Sequence, residues 1–239
     1  MIKKALEYIV DLAVPVVREI NGECYSDKPL HRIRYNPTAE PIRLTTLSSL
    51  IDYLRSSIEV FKTNTTIIHV QSPTKVCVYS TLDEERKREH LVEVNAQLPS
   101  IRFDCFIDHE SFCVGMQSKF VDNGDKALLL KFAGTVEAGS VAEYGDDGVT
   151  QKATVKTGLA SKSDALVPNR VRLCPYRTFL EVAQPDSEFV FRMKQDRSGD
   201  VQCALFEADG GAWRMAAVAA VKAYIEEELC ENDRFLVIA

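Results

Sequence analysis

The chain has 239 residues, a net charge of -6, and 46% hydrophobic and 27% charged residues. A chain of this length can bury its own core, and the composition excludes a disordered or fibrous protein. The mild acidic excess argues against broad electrostatic capture of nucleic acid, which requires a concentrated basic surface. No apolar run approaches the roughly 20 residues that span a bilayer, so we expect no membrane partner.

The cysteines and the N-terminus both indicate an intracellular protein. The seven cysteines are odd in number and form no CxxC pair, which predicts reduced and mostly buried thiols in a cytosolic protein. The first residues resemble the start of a signal peptide, but Glu7 and Asp11 interrupt what would be its apolar core.

The first third of the chain predicts two helices separated by a loop. Apolar residues recur at helical spacing over residues 3–20, which predicts an amphipathic helix bent or divided at Pro15. Residues 23–43 contain three prolines and predict a loop that wraps over the body or reaches a neighbouring subunit. Thr45 or Thr46 then caps a second helix with one apolar face.

The next segment predicts a β-hairpin followed by a charged tip and a returning strand. Residues 65–70 and 75–80 are rich in β-branched and aromatic side chains and flank a turn at Pro73. The charged run 83–90 is interpreted as a solvated tip, with a nucleic-acid contact as the alternative. Residues 91–98 are the returning strand.

A cluster of hard-cation ligands follows the returning strand. A strand over residues 102–108 would place Asp104 and Asp108 on one face, with His109 and Glu110 directly after them. This pattern is a candidate divalent metal site. The favoured interpretation is that Asp108 caps a helix that begins at His109 and buries apolar side chains on its way to Phe120, because the spacings of strong metal motifs are missing.

The middle of the chain gives weaker signals. Residues 122–125 predict a turn, and the segment 126–144 fits either a helix or a strand, with Leu128, Leu129 and Phe132 pointing inward in both cases. Residues 150–157 alternate as a half-exposed strand does, and residues 158–165 predict a small polar loop.

Local signals are densest over residues 166–229. Arg170, Arg172 and Arg177 form a candidate anion or nucleic-acid site, and the alternative is that Arg177 pairs with a carboxylate such as Glu181 and pins an irregular segment. A hairpin over 189–193 and 201–206 then leads to a long amphipathic helix.

The start of that helix and the end of the chain complete the prediction. Asp209-Gly210-Gly211 predicts a capped turn at the start of the helix, with a phosphate-binding turn as the weaker alternative. Glu226, Glu227 and Glu228 near the helix end oppose the helix dipole, which predicts basic groups from elsewhere in the chain or from another subunit. Residues 234–238 predict a final strand that pairs with a sheet edge of its own chain or of a neighbouring subunit.

The same region resembles a known family. The resemblance to the YfdQ-like phage and prophage proteins, a family named as a domain of unknown function, rests on Val167-Pro168-Asn169, Pro175-Tyr176-Arg177-Thr178-Phe179, Gln184-Pro185-Asp186-Ser187 and the run from Ala204 to Trp213. It is tightest over the last third and extends to the second helix and the acidic segment. The resemblance implies a phage-related origin and expression in the cytoplasm of the bacterial host cell. It implies no activity and no catalytic residues.

Catalytic motifs are missing from the sequence. There is no GxSxG elbow, HExxH helix or papain-type cysteine signature, and Glu207-Ala208-Asp209 has an acid where a metal-dependent nuclease needs lysine. His69 lies in an apolar strand and is interpreted as a core residue. We therefore favour a protein without catalytic residues or a cofactor.

We predict a single α+β domain over residues 1–239, with a mixed, mainly antiparallel sheet covered by amphipathic helices. The N-terminal helix and Pro-rich loop, residues 1–43, are a candidate interaction arm. The favoured function is a non-enzymatic phage accessory protein that self-associates into a homo-oligomer through its Pro-rich segments and terminal strand. One alternative is a nucleic-acid-binding factor in phage replication or recombination that uses the three arginines above together with Arg86, Lys87 and Arg88. The other is a metal-dependent hydrolase around the acidic cluster.

Overall fold

The chain divides into two compact units, Met1–Ala39 and Glu40–Ala239. In the computed structural model the described residues are 2–29, 39–56, 58, 66–83, 86–144, 151–156, 162–166, 168–230 and 234–239. The charged tip, the Pro-rich loop and the end of the second predicted helix therefore lie partly outside the described residues.

The first unit is a helix followed by a hairpin. It contains α1 (Ile2–Ala13), β1 (Val17–Ile20) and β2 (Glu23–Ser26), with the two strands antiparallel. The prediction of one helix to residue 20 was wrong after Pro15, because proline removes a helical N–H donor and disfavours helical backbone in the residue before it. Asn21 and Gly22 both have positive φ, at 55° and 82°, so this pair forms the hairpin turn and does not end a helix.

The second unit has an α+β fold, as predicted. Its elements are β3 (Ile42–Leu44), α2 (Leu47–Ser56), β4 (Thr66–Ser72), β5 (Lys75–Ser80), β6 (His90–Asn95), β7 (Ile107–Asp108), α3 (His109–Lys119), α4 (Gly124–Thr135), β8 (Val136–Tyr144), β9 (Gln151–Lys156), β10 (Lys162–Leu166), β11 (Val171–Leu173), β12 (Ser187–Gln195), β13 (Val201–Glu207), α5 (Ala212–Glu228) and β14 (Phe235–Ile238).

The largest sheet has five strands in the order β14-β4-β5-β6-β3. The predicted hairpin β4-β5 and the returning strand β6 are antiparallel, whereas both edge strands join in parallel. The terminal strand β14 therefore pairs with β4 of its own chain. One face of this sheet packs against α2 and α5 around a core that includes Leu50, Ile68, Phe179 and Ile225. His69 is only half-buried because its neighbours Ile68 and Val70 occupy the core face.

A second core lies against the four-stranded sheet β11-β12-β13-β7. Phe189, Phe191 and Met193 alternate with half-buried residues along β12 and are fully buried. Phe112 and Met116 of α3 pack into the same core, as the sequence predicted for this helix. The hairpin of β12 and β13 is also confirmed.

The third sheet, β10-β9-β8, resolves the ambiguous segment 126–144. That segment is a helix to Thr135 and a strand from Val136. Leu129 is buried as predicted, but Leu128 is 55% exposed, so its predicted inward position was wrong. The segment 158–165, predicted as a loop, contains the start of β10.

The helix ends follow the predicted capping. Thr46 Oγ1 accepts the Ser49 N–H at the start of α2, at 3.2 Å. Asp209 accepts the N–H groups of Gly211 and Trp213 at the start of α5. At the other end of α5, Arg55 of α2 donates to the Glu228 carboxylate at 2.8 Å and also to its backbone carbonyl. Arg55 is therefore the basic group that the acidic end of the helix predicted.

Candidate functional site

The candidate site is the apolar face of α1, which we call the α1 face and define as Ile2, Leu6, Ile9 and Val10. These side chains are 79%, 57%, 61% and 63% exposed. Their spacing of four, three and one residues places them on one side of a helix. A contiguous exposed apolar surface of this kind is typical of an interaction site.

The rest of the first unit provides little cover for α1. All side chains described in this unit are exposed except that of Lys28, which is half-buried. The hairpin is held at its base by the Val16 N–H, which donates to Asp27 at 2.7 Å, and by Lys28 Nζ, which donates to the Val14 carbonyl at 3.1 Å. An isolated helix of 12 residues is marginal in water, so α1 requires packing from another surface.

The charges of α1 are reversed with respect to its dipole. Lys3 and Lys4 lie in the first turn, and Glu7 and Asp11 follow toward the C-terminal end. The N-terminal end of a helix carries partial positive charge and the C-terminal end partial negative charge, so both groups of charges are unfavourable in an isolated helix. An external surface of opposite polarity would relieve this repulsion at both ends.

The acidic candidates for a metal site have separate structural roles. Asp104 is in a turn with φ of 59° and donates its N–H to the Leu205 carbonyl, so the predicted strand over 102–108 was wrong except at β7. Asp108 accepts the Ser111 N–H at 2.8 Å, which confirms the predicted cap. Hydrogen bonds from Ser111 hold the pKa of the Asp108 carboxyl below its usual range.

The other two candidate metal ligands, His109 and Glu110, have surroundings of their own. The His109 ring bonds the Ala133 carbonyl at 2.9 Å and approaches the Cys113 thiol at 3.6 Å, and Glu110 is exposed. Within the described part of the chain, no three His, Cys, Asp or Glu side chains are grouped so that they could hold a metal ion.

The three candidate arginines each face a carboxylate of their own. Arg170 lies 3.7 Å from Glu188, Arg172 lies 3.5 Å from Asp186, and Arg177 lies 2.9 Å from Glu207. The predicted partner of Arg177, Glu181, was wrong: its carboxylate accepts the Ser48 N–H at the start of α2 instead. Arg177 thus pairs with a carboxylate, as the alternative predicted, but the carboxylate is that of Glu207.

Arg177 is buried between two aromatic rings. Its side chain is 7% exposed and lies 4.0 Å from the Trp213 ring centre and 5.7 Å from that of Phe189. Its guanidinium also donates to the Ser187 hydroxyl. Burial lowers the pKa of Arg177 to about 10, although Glu207 opposes this shift. Glu207 could not be identified from the sequence, because the ion pair spans 30 residues and depends on the hairpin register.

The basic residues of the charged tip are hydrogen-bonded to Asp83 and Ser80. Arg86 has φ of 60° and its N–H donates to the Asp83 carbonyl, while the Lys87 N–H donates to the Asp83 side chain. Arg88 donates to the Ser80 carbonyl at 3.1 Å. The described residues 86–88 of this tip are therefore held by Asp83 and Ser80.

The seven cysteines are free thiols with different exposures. Cys77, Cys174 and Cys203 are buried, Cys105 and Cys113 are half-buried, and Cys24 and Cys230 are exposed. The prediction of mostly buried thiols thus holds for the first three and was wrong for the last two. Burial raises the pKa of the Cys203 thiol to about 12, which leaves it protonated and unreactive at neutral pH.

In the part of the chain that the structure describes, no helix combines the length and apolar character needed to cross a membrane. Scans against protein-family models, curated proteins and solved structures found no match to this chain.

Proposed function

We propose that this chain is a non-enzymatic accessory protein that self-associates into a homo-oligomer through the α1 face. The observation that carries the proposal is the exposure of four large apolar side chains on one side of a helix too short to be stable alone. The sequence resemblance adds that the protein is encoded by a phage or prophage and acts in the cytoplasm of its bacterial host.

Charge complementarity favours a second copy of α1 as the partner. In an antiparallel pair, the helix end that carries Lys3 and Lys4 lies beside the end of the other helix that carries Asp11. The acidic end of each helix then meets the basic, partially positive end of its partner, which removes the unfavourable charge placement of the single helix. A twofold axis relates the two copies, so one self-complementary surface is sufficient.

A lipid surface fits this helix less well. Helices that bind anionic membranes carry a polar face rich in lysine and arginine. The polar residues of α1 include two lysines, one glutamate and one aspartate, which sum to zero charge. The electrostatic attraction that holds such helices at a bilayer is therefore missing from the composition of α1.

Two other functions stay as predictions from the sequence. Nucleic-acid binding would appear as affinity that falls steeply with salt concentration. A metal-dependent hydrolase would contain bound metal that is lost on Asp104→Ala substitution. No contact in the described structure favours either of them over self-association.

The proposal is tested by changing the α1 face and measuring the native mass by light scattering. We expect Ile9→Asp to dissociate the oligomer, because a buried unpaired carboxylate is strongly unfavourable at an apolar interface. Glu19→Gln is the matched control, since it changes an exposed residue of the same unit outside α1. Far-ultraviolet circular dichroism shows whether each variant retains the fold.

A second set of variants tests the antiparallel arrangement. Lys3→Glu with Lys4→Glu is expected to weaken association, and adding Glu7→Lys with Asp11→Lys is expected to restore it. If Ile9→Asp and wild type have the same oligomeric mass, α1 is not the interface and the proposal fails.

A further inference from the structure

A cavity of about 350 Å³ opens between α3, β13 and the segment 100–107 of the second unit. This volume lies at the lower end of the roughly 300–1,000 Å³ that small-molecule sites occupy. The α1 face lies in the other unit. The residues that line the cavity therefore take no part in the proposed self-association through α1.

The inner wall of the cavity is formed by apolar residues of the second core. Phe112, Met116 and Phe120 line it from α3, and Leu205 lines it from β13; all four are buried in the second core. Cys203 also lines this wall, and its thiol stays protonated because burial raises its pKa. The apolar part of a ligand bound here would be shielded from water by these side chains, which are already packed in the core.

The residues that line the cavity have a net positive charge, although the protein as a whole has a net negative charge. Arg102 and Lys119 line the cavity together with one acid, Asp108, whose carboxylate already accepts the Ser111 N–H. Lys119 donates to the Ser100 carbonyl at 2.6 Å and thereby holds the covering segment against α3. Arg102 is exposed and has no hydrogen-bond or ion-pair partner among the described residues.

A glycine in the middle of α3 borders open space in the cavity. Gly115 lines the cavity, and a β-carbon built on it would meet no atom within 4 Å. Glycine in a helix interior is less favourable than alanine. Alanine would fit this position without a clash, so the glycine provides space that folding does not require.

We infer that this cavity is a binding site for a small carboxylate with an apolar body. Arg102 pairs with the carboxylate, and the apolar body lies over Gly115 against Phe112, Met116 and Leu205. A guanidinium that has no partner among the described residues and lies in the lining of an apolar wall matches the two halves of such a molecule.

The inference is tested with 4-phenylbutyrate as the probe and isothermal titration calorimetry of the full chain. We expect saturable binding to wild type, and about tenfold weaker binding of the neutral analogue 4-phenyl-1-butanol, because it lacks the charge-assisted hydrogen bond. Arg102→Gln should weaken binding of the carboxylate by about the same factor and leave binding of the alcohol unchanged.

Two glycine variants separate this cavity from other apolar surfaces. Gly115→Leu fills the cavity and should weaken binding of 4-phenylbutyrate by about tenfold or more. Gly134→Leu is the matched control, because Gly134 is an exposed helical glycine that also has open space around it. Ile9→Asp should also leave binding unchanged.

The inference is overturned if wild type shows no binding, if Arg102→Gln and wild type bind the carboxylate equally, or if Gly115→Leu binds as Gly134→Leu does. Because Arg102 is exposed, its variant tests the site even if Gly115→Leu does not fold.

Discussion

The guanidinium of Arg177 lies 4.0 Å from the centre of the Trp213 ring, which fixes the loop before β12 to the first turn of α5. The same guanidinium pairs with Glu207 at the end of β13. Gln184 also holds this loop. Its side-chain oxygen accepts the N–H groups of Arg177 and Thr178. Its side-chain amide nitrogen bonds the carbonyls of Thr178, Phe179 and Val182. One buried arginine therefore connects a loop, a hairpin and a helix.

Substitution of Arg177 should destabilise the fold even when the charge is kept. We expect Arg177→Lys to lower the free energy of unfolding by about 2 kcal/mol, because lysine cannot bond Glu207 and Ser187 together while stacking on Trp213. Arg177→Ala should cost about 3–5 kcal/mol, since Glu207 then loses its nearer ionic partner and the contacts with Ser187 and Trp213 are removed. Urea denaturation followed by Trp213 fluorescence measures both values.

The control for this prediction is Arg197→Lys, which changes an exposed arginine in the β12-β13 turn. It should alter the free energy of unfolding by less than about 0.5 kcal/mol. Equal stability of Arg177→Lys and Arg197→Lys would contradict the role assigned to Arg177.

The cap at Asp108 predicts a pH dependence of stability. Hydrogen bonds from Ser111 hold the pKa of Asp108 below its usual range, so the unfolded chain binds this proton more readily than the folded chain. The stabilisation is present above about pH 4 and is lost as pH falls through the lower, folded-state pKa.

Asp108→Asn keeps a side-chain oxygen at the cap but removes the titrating group. We expect the urea midpoint to fall less between about pH 6 and about pH 3 in this variant than in wild type. Some fall should remain, because hydrogen bonds to Asp196 lower the pKa of that carboxyl as well. Identical pH profiles for the two proteins would rule out a stabilising charge at Asp108.

Packing of α5 on the five-stranded sheet is tested at Ile225. This side chain is fully buried in the core shared with α2 and β4. Ile225→Ala should lower the free energy of unfolding by about 2–5 kcal/mol, through lost burial and the cavity left behind. Met215→Ala, on the same helix but 74% exposed, should change it by less than about 0.5 kcal/mol. Similar losses in both variants, measured by urea denaturation, would mean that α5 is docked through a different face.

The features that were predicted from sequence depend on neighbours close in the chain. The hairpin of β4 and β5 needs only alternating β-branched residues and a turn at Pro73, and the α3 cap needs Asp108 three residues before the N–H that it accepts. The amphipathic spacing of α5 similarly indicated its buried face before any partner was known.

The features that were missed depend on contacts distant in the chain. The parallel pairing of β14 with β4 joins residues about 170 positions apart, and no local pattern specifies such a partner. Glu181 was the nearest acid to Arg177 along the chain, but the hairpin register brings Glu207 to the guanidinium instead. Asp104 was placed on a strand by residue type, whereas its positive φ places it in a turn.

The exposure of the α1 face could also not be deduced from sequence. An amphipathic pattern predicts a helix with one buried side, and it does not say whether the covering surface belongs to the same chain. The structure shows these side chains exposed, and this exposure is the basis of the proposed self-association.

The native mass of the full chain, measured by size-exclusion chromatography with light scattering over a range of concentrations, tests the central claim most directly. Self-association through α1 predicts a mass that is a whole-number multiple of 26.8 kDa and falls toward the single chain on dilution or on Ile9→Asp substitution. A mass of 26.8 kDa at every concentration would contradict it.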